Sequence, residues 1–530
     1  MKHESTSVFT TGRRQAIWCS RLAVCLLTAA MAVTARAYLP PGATPAPNTA
    51  QTAAAFPKRV TAQGSNFGVW DQALTNPFFG RDGYYANTSV EVTGGGASID
   101  GLLEFDAAGN TVRRISPLQT GVTVQQSSTA GQFYAQQIQT GANEVTFGLY
   151  SATGGFTPVY QNRLAVDASK TVIAQGAFQG RSVVVHNRNT QFDVMVFKSD
   201  GSHDWSRTLS STLFGVTVGS TTDSQFAFVL PLADGSILVE VVKTTFSISL
   251  PNIGLGYDTI LVKLSSTGTV EWAKKPSGRA MLVAFPSASG TTLYLNGTEM
   301  PTLGSTQLGI TVSKMNLAGS LIWSKRVSGP SLLAAGELTG EKVLLTGTSA
   351  NLQNPLGTSV LAVLSSDGNL ESQTQFSFGE RNSTVAYAEG ARIWIATATG
   401  PAPTAGNPTL QAGPAHIGLA DATLNNIVWK RYKNNMHVAL ASPDWDSDNV
   451  AVSFFNLTDH AMEVAVVKDD FAASATAELF TTAAPTVSSA GASVSNSGFT
   501  LDNVTVNAVA FTPAVQSGAL TFETLPTIET

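Results

Sequence analysis

The sequence predicts an all-β fold. Its 530 residues include 47 glycines among many valines, threonines and serines, a composition typical of short strands joined by tight turns. Hydrophobic residues make up 43% of the chain and charged residues 13%, the balance of a chain that buries a core. No long segment has the apolar spacing of an amphipathic helix. A short pattern also recurs along most of the chain, and this recurrence predicts how the strands are arranged.

The clearest copy of the pattern spans residues 258–275 and reads D-T-I-L-V-K-L-S-S-T-G-T-V-E-W-A-K-K. It predicts two strands joined by a turn at Gly268, with Trp272 four residues later. The same spacing recurs at Gly201 and Trp205, at Gly319 and Trp323, and at Asn425 and Trp429. Asparagine is the best substitute for glycine at a left-handed turn position, so the Asn425 turn is expected to match the glycine turns.

Fainter copies turn near Gly109, Gly154, Gly368 and Asp470, so that eight turns follow one another at steps of 45 to 67 residues. Another hairpin precedes most of them, which gives about four strands in each unit. Units of this kind predict a β-propeller of eight four-stranded blades, with seven blades as the alternative. Neighbouring blades would stack because one sheet cannot bury both of its faces alone.

The predicted organisation has four parts. Residues 1–37 are expected to be a signal peptide, 38–58 a linker rich in Pro, Ala and Thr, and 59–480 the propeller. Residues 481–530 form a C-terminal segment with further strand patterns. We expect that segment to add a strand to the first blade and close the ring, the alternative being a small appended strand pair.

The signal peptide is predicted from a basic region, a short apolar core at 22–33 and a cleavage site at Ala35-Arg36-Ala37. It indicates a secreted or periplasmic protein. Arg13-Arg14 leaves open whether export follows the general secretory or the twin-arginine route. The segment holds five of the 31 basic residues and one of the 36 acidic residues, so its removal leaves a net charge of −9. Such a chain has no general attraction for nucleic acid.

The stretch L-S-S-T-G-T-V-E-W, which begins at Leu264, resembles the repeat of the quinoprotein-like (PQQ-type) propellers and of related bacterial β-propeller repeats. The pattern of that family is approximately Leu-Asp-x-x-Thr-Gly-x-x-x-Trp. The resemblance covers most of the chain from about residue 95 to 475, and it implies that the tryptophans dock between adjacent blades. Quinone-dependent members use a vicinal cysteine pair, whereas this chain has cysteine only at positions 19 and 25. The resemblance therefore concerns the fold.

One sequence pattern is a candidate metal site. Asp444, Asp446 and Asp448 precede Asn449 in D-W-D-S-D-N, and alternate carboxylates on a tight turn could hold a calcium ion. No acidic residue follows where a calcium loop supplies its later ligands, so a solvated turn is the alternative. The sequence predicts no cofactor other than this possible calcium ion.

The histidines beyond the signal peptide are widely spaced: His186, His203, His416, His437 and His460. None has the spacing of a metal-binding pair. His186 lies at the predicted end of a strand, in V-V-V-H-N-R-N, and is the best single candidate for a functional histidine. The alternative is a hydrogen-bonded structural histidine.

The absence of any compact catalytic motif favours a non-enzymatic, monomeric propeller that acts as a binding or scaffolding module. Its expected partner is a protein or a carbohydrate, with neither nucleic acid nor a membrane span. The alternative is a secreted hydrolase or lyase with a site built from several blades around the central axis.

Overall fold

The computed structural model describes part of the chain, all of it within the unit Pro40–Thr530. The described residues are 58–525 except for 62–76, 80–83, 92–97, 106–110, 120–121, 127–131, 139–142, 152–155, 178–179, 216–223, 250–251, 278–279, 288, 300–308, 349–357, 379–380, 401–413, 436, 444–448, 457–460, 469–479 and 519. The predicted signal peptide and nearly all of the predicted linker lie outside these residues.

Strands account for most of the described chain. The first half contains β1 Lys58–Thr61, β2 Pro77–Phe79, β3 Tyr84–Glu91, β4 Ser98–Phe105, β5 Thr111–Pro117, β6 Val122–Gln126, β7 Gln132–Ile138, β8 Val145–Ser151, β9 Thr157–Leu164, β10 Thr171–Ala177, β11 Arg181–Asn187, β12 Gln191–Phe197, β13 His203–Ser210, β14 Ser224–Pro231, β15 Ile237–Ser249, β16 Asn252–Leu264 and β17 Val270–Pro276. The 3-10 turn Ala168–Lys170 precedes β10.

The second half of the described chain continues in the same way. It contains β18 Ala280–Pro286, β19 Thr292–Glu299, β20 Gly309–Asn316, β21 Leu321–Ser328, β22 Ser331–Leu338, β23 Lys342–Thr348, β24 Ser359–Leu364, β25 Leu370–Ser377, β26 Arg381–Glu389, β27 Arg392–Gly400, β28 Pro414–Asp421, β29 Val428–Asn435, β30 His437–Pro443, β31 Asn449–Asn456 and β32 Ala461–Lys468.

These strands form eight antiparallel sheets, each built from strands that follow one another in the chain. We number them 1 to 8 in chain order: β2–β5, β6–β9, β10–β13, β14–β17, β18–β21, β22–β25, β26–β29 and β30–β32. Sheet 8 takes its fourth strand from the other end of the chain, because β1 pairs with β32.

Each sheet packs against the sheet before it and the sheet after it in chain order. Sheet 8 contacts sheet 7 through β27 and β30, and it contacts sheet 1 through β2 and β31. Every sheet therefore has two neighbours, which is the arrangement of a β-propeller. The prediction of an all-β propeller-type fold is confirmed.

Burial on both faces explains the apolar strand sequences. All six residues of β24, S-V-L-A-V-L, are buried. In β15 the alternation divides the side chains between two neighbours: Ile237, Val239 and Val241 pack with sheet 3, whereas Leu238 packs with sheet 5. Among the described side chains, the core is thus a series of apolar layers in the grooves between successive sheets from sheet 2 to sheet 7.

The C-terminal segment forms seven further strands of three or four residues. They are β33 Phe480–Thr482, β34 Thr486–Ser488, β35 Ser493–Asn496, β36 Leu501–Asn503, β37 Asn507–Ala510, β38 Val515–Ser517 and β39 Phe522–Leu525. Each adds a fifth, antiparallel strand to the outer edge of one sheet, from sheet 7 with β33 to sheet 1 with β39.

The C-terminal segment therefore passes the sheets in the reverse of their chain order. The expectation that it adds a strand to the first blade describes only β39, and the expected four-stranded blade is extended to five strands in sheets 1 to 7. The strand that joins the two ends of the folded region is β1, in sheet 8. We call residues 480–525 the tail. Within the residues that the structure describes, no helix is long and apolar enough to cross a lipid bilayer.

Candidate functional site

The repeated tryptophans were the most visible motif, and three of them connect neighbouring sheets. The indole nitrogen Nε1 of Trp205 donates to the carbonyl of Ser266 in the turn of the next sheet, at 2.7 Å. Trp272 donates in the same way to Leu317 at 2.8 Å, and Trp323 to Ser366 at 2.7 Å. For these three residues, the expected docking between neighbouring sheets is confirmed.

The turn glycine is part of the same contact. Gly268 has a φ of +81°, a left-handed conformation that glycine adopts without steric cost. A Cβ atom added at Gly268 would lie 2.6 Å from Cε3 of Trp205, so the glycine also makes room for the indole ring. Both the turn and the close approach therefore require glycine.

The basic residue two positions after each of these tryptophans extends the contact. The Arg207 guanidinium lies 5.8 Å from the centre of the Trp205 ring and donates to the carbonyl of Thr267 at 2.9 Å. Lys274 donates instead to Asn503 of the tail at 2.7 Å, and Lys325 to Asn496 of the tail at 2.8 Å.

The fourth tryptophan, Trp429, is oriented differently, and the prediction that its turn matches the glycine turns of the other three is wrong. The left-handed residue of its turn is Leu424, with a φ of +56°, and not Asn425. Trp429 faces back toward sheet 6, where its ring centre lies 4.8 Å from that of Phe376. Its buried Nε1 has no hydrogen-bond partner among the described residues.

Serine at the corresponding position of sheet 6 explains the reversal. Ser372 stands four residues after Gly368, and its hydroxyl donates to the carbonyl of Ala422 in the turn of sheet 7 at 2.6 Å. Ser372 thus makes the hydrogen bond that a tryptophan makes at this position in sheets 3, 4 and 5, but its small side chain fills little of the groove between sheets 6 and 7. Trp429 fills that space from the opposite sheet, and Gly418 beneath it leaves room for the ring.

The candidate calcium ligands Asp444, Asp446 and Asp448 lie outside the described residues, so that site stays a prediction. Among the residues that the structure describes, no three His, Cys, Asp or Glu side chains come together as a group that could hold a metal ion.

The described histidines differ in their surroundings. His416 is buried and stacks on Phe378 with ring centres 3.7 Å apart. Burial, together with the nearby charge of Arg431, lowers the pKa of His416 to about 4. His416 is thus a neutral core residue. His203 has a buried Nε2 without a partner among the described residues, and the side chains of His437 and His460 lie outside them.

His186 is the described histidine that lies in a polar cluster. We define the His186 cluster as His186, Arg188, Asp193 and Thr208. Its centre is Asp193 on β12, flanked by His186 on β11 and by Thr208 on β13 in direct cross-strand register. The Thr208 hydroxyl donates to Asp193 Oδ1 at 2.7 Å. His186 Nδ1 lies 4.0 Å from Asp193 Oδ2, and Arg188 Nη1 lies 3.6 Å from the same oxygen.

The cluster combines a partly buried pair with an exposed cation. The side chains of His186 and Asp193 are 15% and 12% exposed, whereas that of Arg188 is 53% exposed. Burial lowers the pKa of His186, although the charges of Asp193 and Asp167 oppose the shift. His186 is consequently neutral near pH 7, a state in which an imidazole can accept a proton.

The neighbouring sheet holds the turn that carries Arg188. Gln225 on β14 donates to the carbonyl of Asn189 at 3.1 Å, and its own side-chain oxygen accepts the N–H of Gly215 at 2.8 Å. Asn187 Nδ2 donates in turn to the Gln225 carbonyl at 2.7 Å. These contacts fix the turn that carries Arg188 to sheet 4. His186 and Asp193 themselves lie on the other face of sheet 3, together with Val184 and Met195, which pack toward sheet 2.

Sequence reasoning missed several buried charged residues. Glu240 is 2% exposed, and its Oε1 accepts the backbone N–H of Ala284 from sheet 5 at 2.9 Å. Its other oxygen, Oε2, is buried without a partner among the described residues. Burial raises the pKa of Glu240 to about 8, against the opposing effect of the Ala284 N–H. The carboxyl group is therefore mostly protonated at neutral pH.

Two buried lysines are paired with acidic residues. Lys263 Nζ lies 2.9 Å from Asp234 Oδ2 and 2.8 Å from Glu271 Oε2. Lys314 Nζ lies 2.6 Å from Glu341 Oε2. A charge inside an apolar strand, as in S-I-L-V-E-V-V or T-I-L-V-K-L, was the available signal for Glu240 and Lys263.

Asn296 is a further buried polar residue that connects two sheets. Its Nδ2 donates to the carbonyl of Ala334 in sheet 6 at 2.9 Å, and its Oδ1 accepts the N–H of Ala334 at 2.8 Å. Like the tryptophan contacts, this pair supports the packing of neighbouring sheets.

No protein-family model matches the chain, and no curated protein sequence matches it. Solved structures with similar folds include the β-propeller domain of the Trilobed protease from Pyrococcus furiosus, at 9% identity and a TM-score of 0.34, over 67% of this chain and 95% of that chain. The acylaminoacyl peptidase of Pyrococcus horikoshii is 11% identical with a TM-score of 0.35, over 73% of this chain and 59% of that chain. Drosophila Plexin A in complex with Semaphorin 1b is 7% identical with a TM-score of 0.32, over 77% of this chain and 88% of that chain. At this level of similarity the comparisons give no information on activity or ligand.

Proposed function

We propose that the protein is an exported β-propeller whose eight sheets are the eight blades of one closed ring, and that it acts as a binding or scaffolding module. The ring is supported by the contacts of every sheet with two neighbours, including those of sheet 8 with sheets 7 and 1. Export is supported by the signal-peptide pattern of residues 1–37.

One observation carries the proposal of a non-enzymatic role. The polar residues that recur from sheet to sheet bind neighbouring sheets and the tail, as the hydrogen bonds of Trp205, Trp272 and Lys274 illustrate. The repeat is therefore accounted for by assembly of the ring. What differs among the sheets is the set of turns between strands, and a propeller presents such turns to ligands.

The ligand classes that we propose are a protein segment or a carbohydrate. The fixed Arg188 turn is a suitable contact for either class because the guanidinium is half exposed and offers several donors in a planar fork. Loss of binding on Arg188→Ala, with Arg326→Ala on the exposed face of β21 as the matched control, would assign the site.

The test uses residues 38–530, purified after export, in a thermal-shift screen against oligosaccharides and peptides, followed by calorimetric titration of any hit. The expected result is saturable stabilisation without conversion of the ligand, since a ligand that binds only the folded state raises the unfolding temperature. Conversion of the ligand by the purified protein would contradict the proposal.

The His186 cluster supports a second candidate function, that of a secreted hydrolase or lyase. A neutral imidazole 4.0 Å from a carboxylate, beside an exposed guanidinium, has the groups for proton abstraction next to an anionic substrate. Chromogenic esters, glycosides and polyuronates would be assayed with the wild type, His186→Ala and, as a control in the same sheet, His203→Ala. Turnover that only His186→Ala abolishes would favour the enzyme, whereas no turnover of any substrate by the wild type would count against it.

A further inference from the structure

The tail is bound to the ring at every sheet that it passes. Its seven strands each pair over only three or four residues with the outermost strand of a sheet, as in β13 with β37 and β17 with β36. A strand pair of this length is marginal on its own in water. The tail is held because seven such pairings are connected in one chain.

Side chains of the ring reinforce the pairing. Gln161 Nε2 donates to the Leu520 carbonyl at 3.3 Å, and the Leu520 N–H donates back to Gln161 Oε1 at 3.0 Å. Further ring-to-tail pairs include Gln119 with Thr521 at 2.9 Å, Ser211 with Thr505 at 2.8 Å, Lys274 with Asn503 at 2.7 Å, Ser324 with Ser497 at 2.6 Å, Lys325 with Asn496 at 2.8 Å, Gln373 with Ala492 at 2.7 Å, and Ser206 with Phe511.

The tail also places apolar side chains in the grooves between sheets. Val506 is 8% exposed and packs in the apolar layer between sheets 3 and 4. Ala490 and Ala492 pack between sheets 5 and 6, and Phe499 and Leu501 pack against the layer between sheets 4 and 5. Two neighbouring sheets cannot separate without exposing these residues to water.

From this geometry we propose that the outer rim of sheets 1 to 7 is a binding site for an extended peptide, that its resident ligand is the tail, and that the bound tail locks the ring against opening. The proposal goes beyond the proposed function and does not depend on whether the ring binds or converts a ligand. The chain has no cysteine after residue 25, so no disulfide can restrain the ring. A strap made of many weak contacts gives the restraint that small exported proteins often obtain from disulfides.

The decisive physical property of such a strap is slow release. One short pairing can open without loss of the others, and it closes again because the connected strands keep it at a high local concentration. Complete release needs all seven to open in succession. The tail is therefore expected to slow unfolding of the ring more than the strength of any single contact would suggest.

The first test cuts the connection between ring and tail after folding. A recognition site for a specific protease is inserted between Ala475 and Thr476 of the full chain, and the folded protein is cleaved. We expect the severed tail to remain bound at micromolar concentration by native mass spectrometry, and an excess of a synthetic peptide of residues 478–526 to displace it. A severed tail that leaves at once, with no change in the unfolding rate of the ring, would overturn the proposal.

A second test uses intact full-length variants. Val506→Asp puts a charge into the groove between sheets 3 and 4, whereas Val509→Asp is a matched control, because Val509 lies three residues further along and is 63% exposed. Stopped-flow unfolding in denaturant is expected to be at least tenfold faster for V506D and within twofold of the wild type for V509D. Equal unfolding rates for the two variants would refute the lock, whether or not the severed protein can be prepared.

Discussion

The reversed orientation of Trp429 leads to a sharp prediction for tryptophan-to-phenylalanine substitutions. Trp205→Phe removes the 2.7 Å hydrogen bond to Ser266, which contributes about 1 kcal/mol net, together with part of a buried ring, for about another 1 kcal/mol. Trp429→Phe removes a similar part of a buried ring but also a buried N–H that has no partner among the described residues. Because that N–H is costly to bury, its loss offsets the loss of packing.

We therefore expect W205F to lower the free energy of unfolding by about 2 kcal/mol and W429F by less than about 1 kcal/mol. Urea unfolding followed by far-ultraviolet circular dichroism measures both, provided the slope with denaturant is unchanged. The two tryptophans are similarly buried, at 7% and 4% exposure, so burial does not account for a difference. A cost for W429F equal to or above that for W205F would refute the assigned orientations.

Three further predictions follow from single residues. Gly268→Ala should lower the thermal stability more than Gly340→Ala. Both glycines have φ near +80°, but a Cβ at Gly268 would meet Trp205, whereas a Cβ at Gly340 would have nothing within 4 Å. Equal losses of thermal stability would contradict this prediction. Glu240→Gln should remove a pH dependence. The folded pKa of Glu240, about 8, lies above its unfolded value, so the wild type should lose stability relative to E240Q by about 1.4 kcal/mol per pH unit as pH rises between these two pKa values; parallel stability curves from pH 5 to 8 would count against it. Asn296→Ala leaves the buried N–H and carbonyl of Ala334 unpaired and should lower the free energy of unfolding in urea by about 2 kcal/mol or more. A decrease of less than about 0.5 kcal/mol, roughly the effect of a surface substitution, would show that the paired hydrogen bonds are not formed.

The repeat made the propeller-type fold predictable from the sequence. The spacing of Gly268 and Trp272 recurs because each hairpin must turn and each sheet must dock on the next, so local pattern and global fold agree. The same reasoning could not orient Trp429. Its direction depends on the size of the residue at position 372 in another sheet, a non-local fact that spacing does not contain.

The tail was the part of the fold least accessible to sequence reasoning. A strand of three residues, such as Thr486–Ser488, is too short to show an alternating pattern, and most of its side chains are exposed. Its pairing is fixed instead by partners far away in the chain, such as Gln373 for Ala492. The members of the His186 cluster could not be predicted for a similar reason, because Asp193 and Thr208 lie beside His186 only through the register of the sheet.

The most direct test of the account is the order in which the tail passes the sheets. In a chain with Cys19 and Cys25 replaced by serine, cysteine pairs would be placed at Lys274 with Asn503 and at Lys325 with Asn496. These residues are cross-strand partners, and antiparallel partners are about 4.5–5.5 Å apart between Cα atoms, within the range of a disulfide.

The exchanged pairs, 274 with 496 and 325 with 503, are the matched controls. We predict that mild oxidation closes both direct pairs in nearly all molecules and neither exchanged pair, as measured by peptide mapping under non-reducing conditions. Closure of the exchanged pairs, or failure of both direct ones, would contradict a tail that passes the sheets in reverse order.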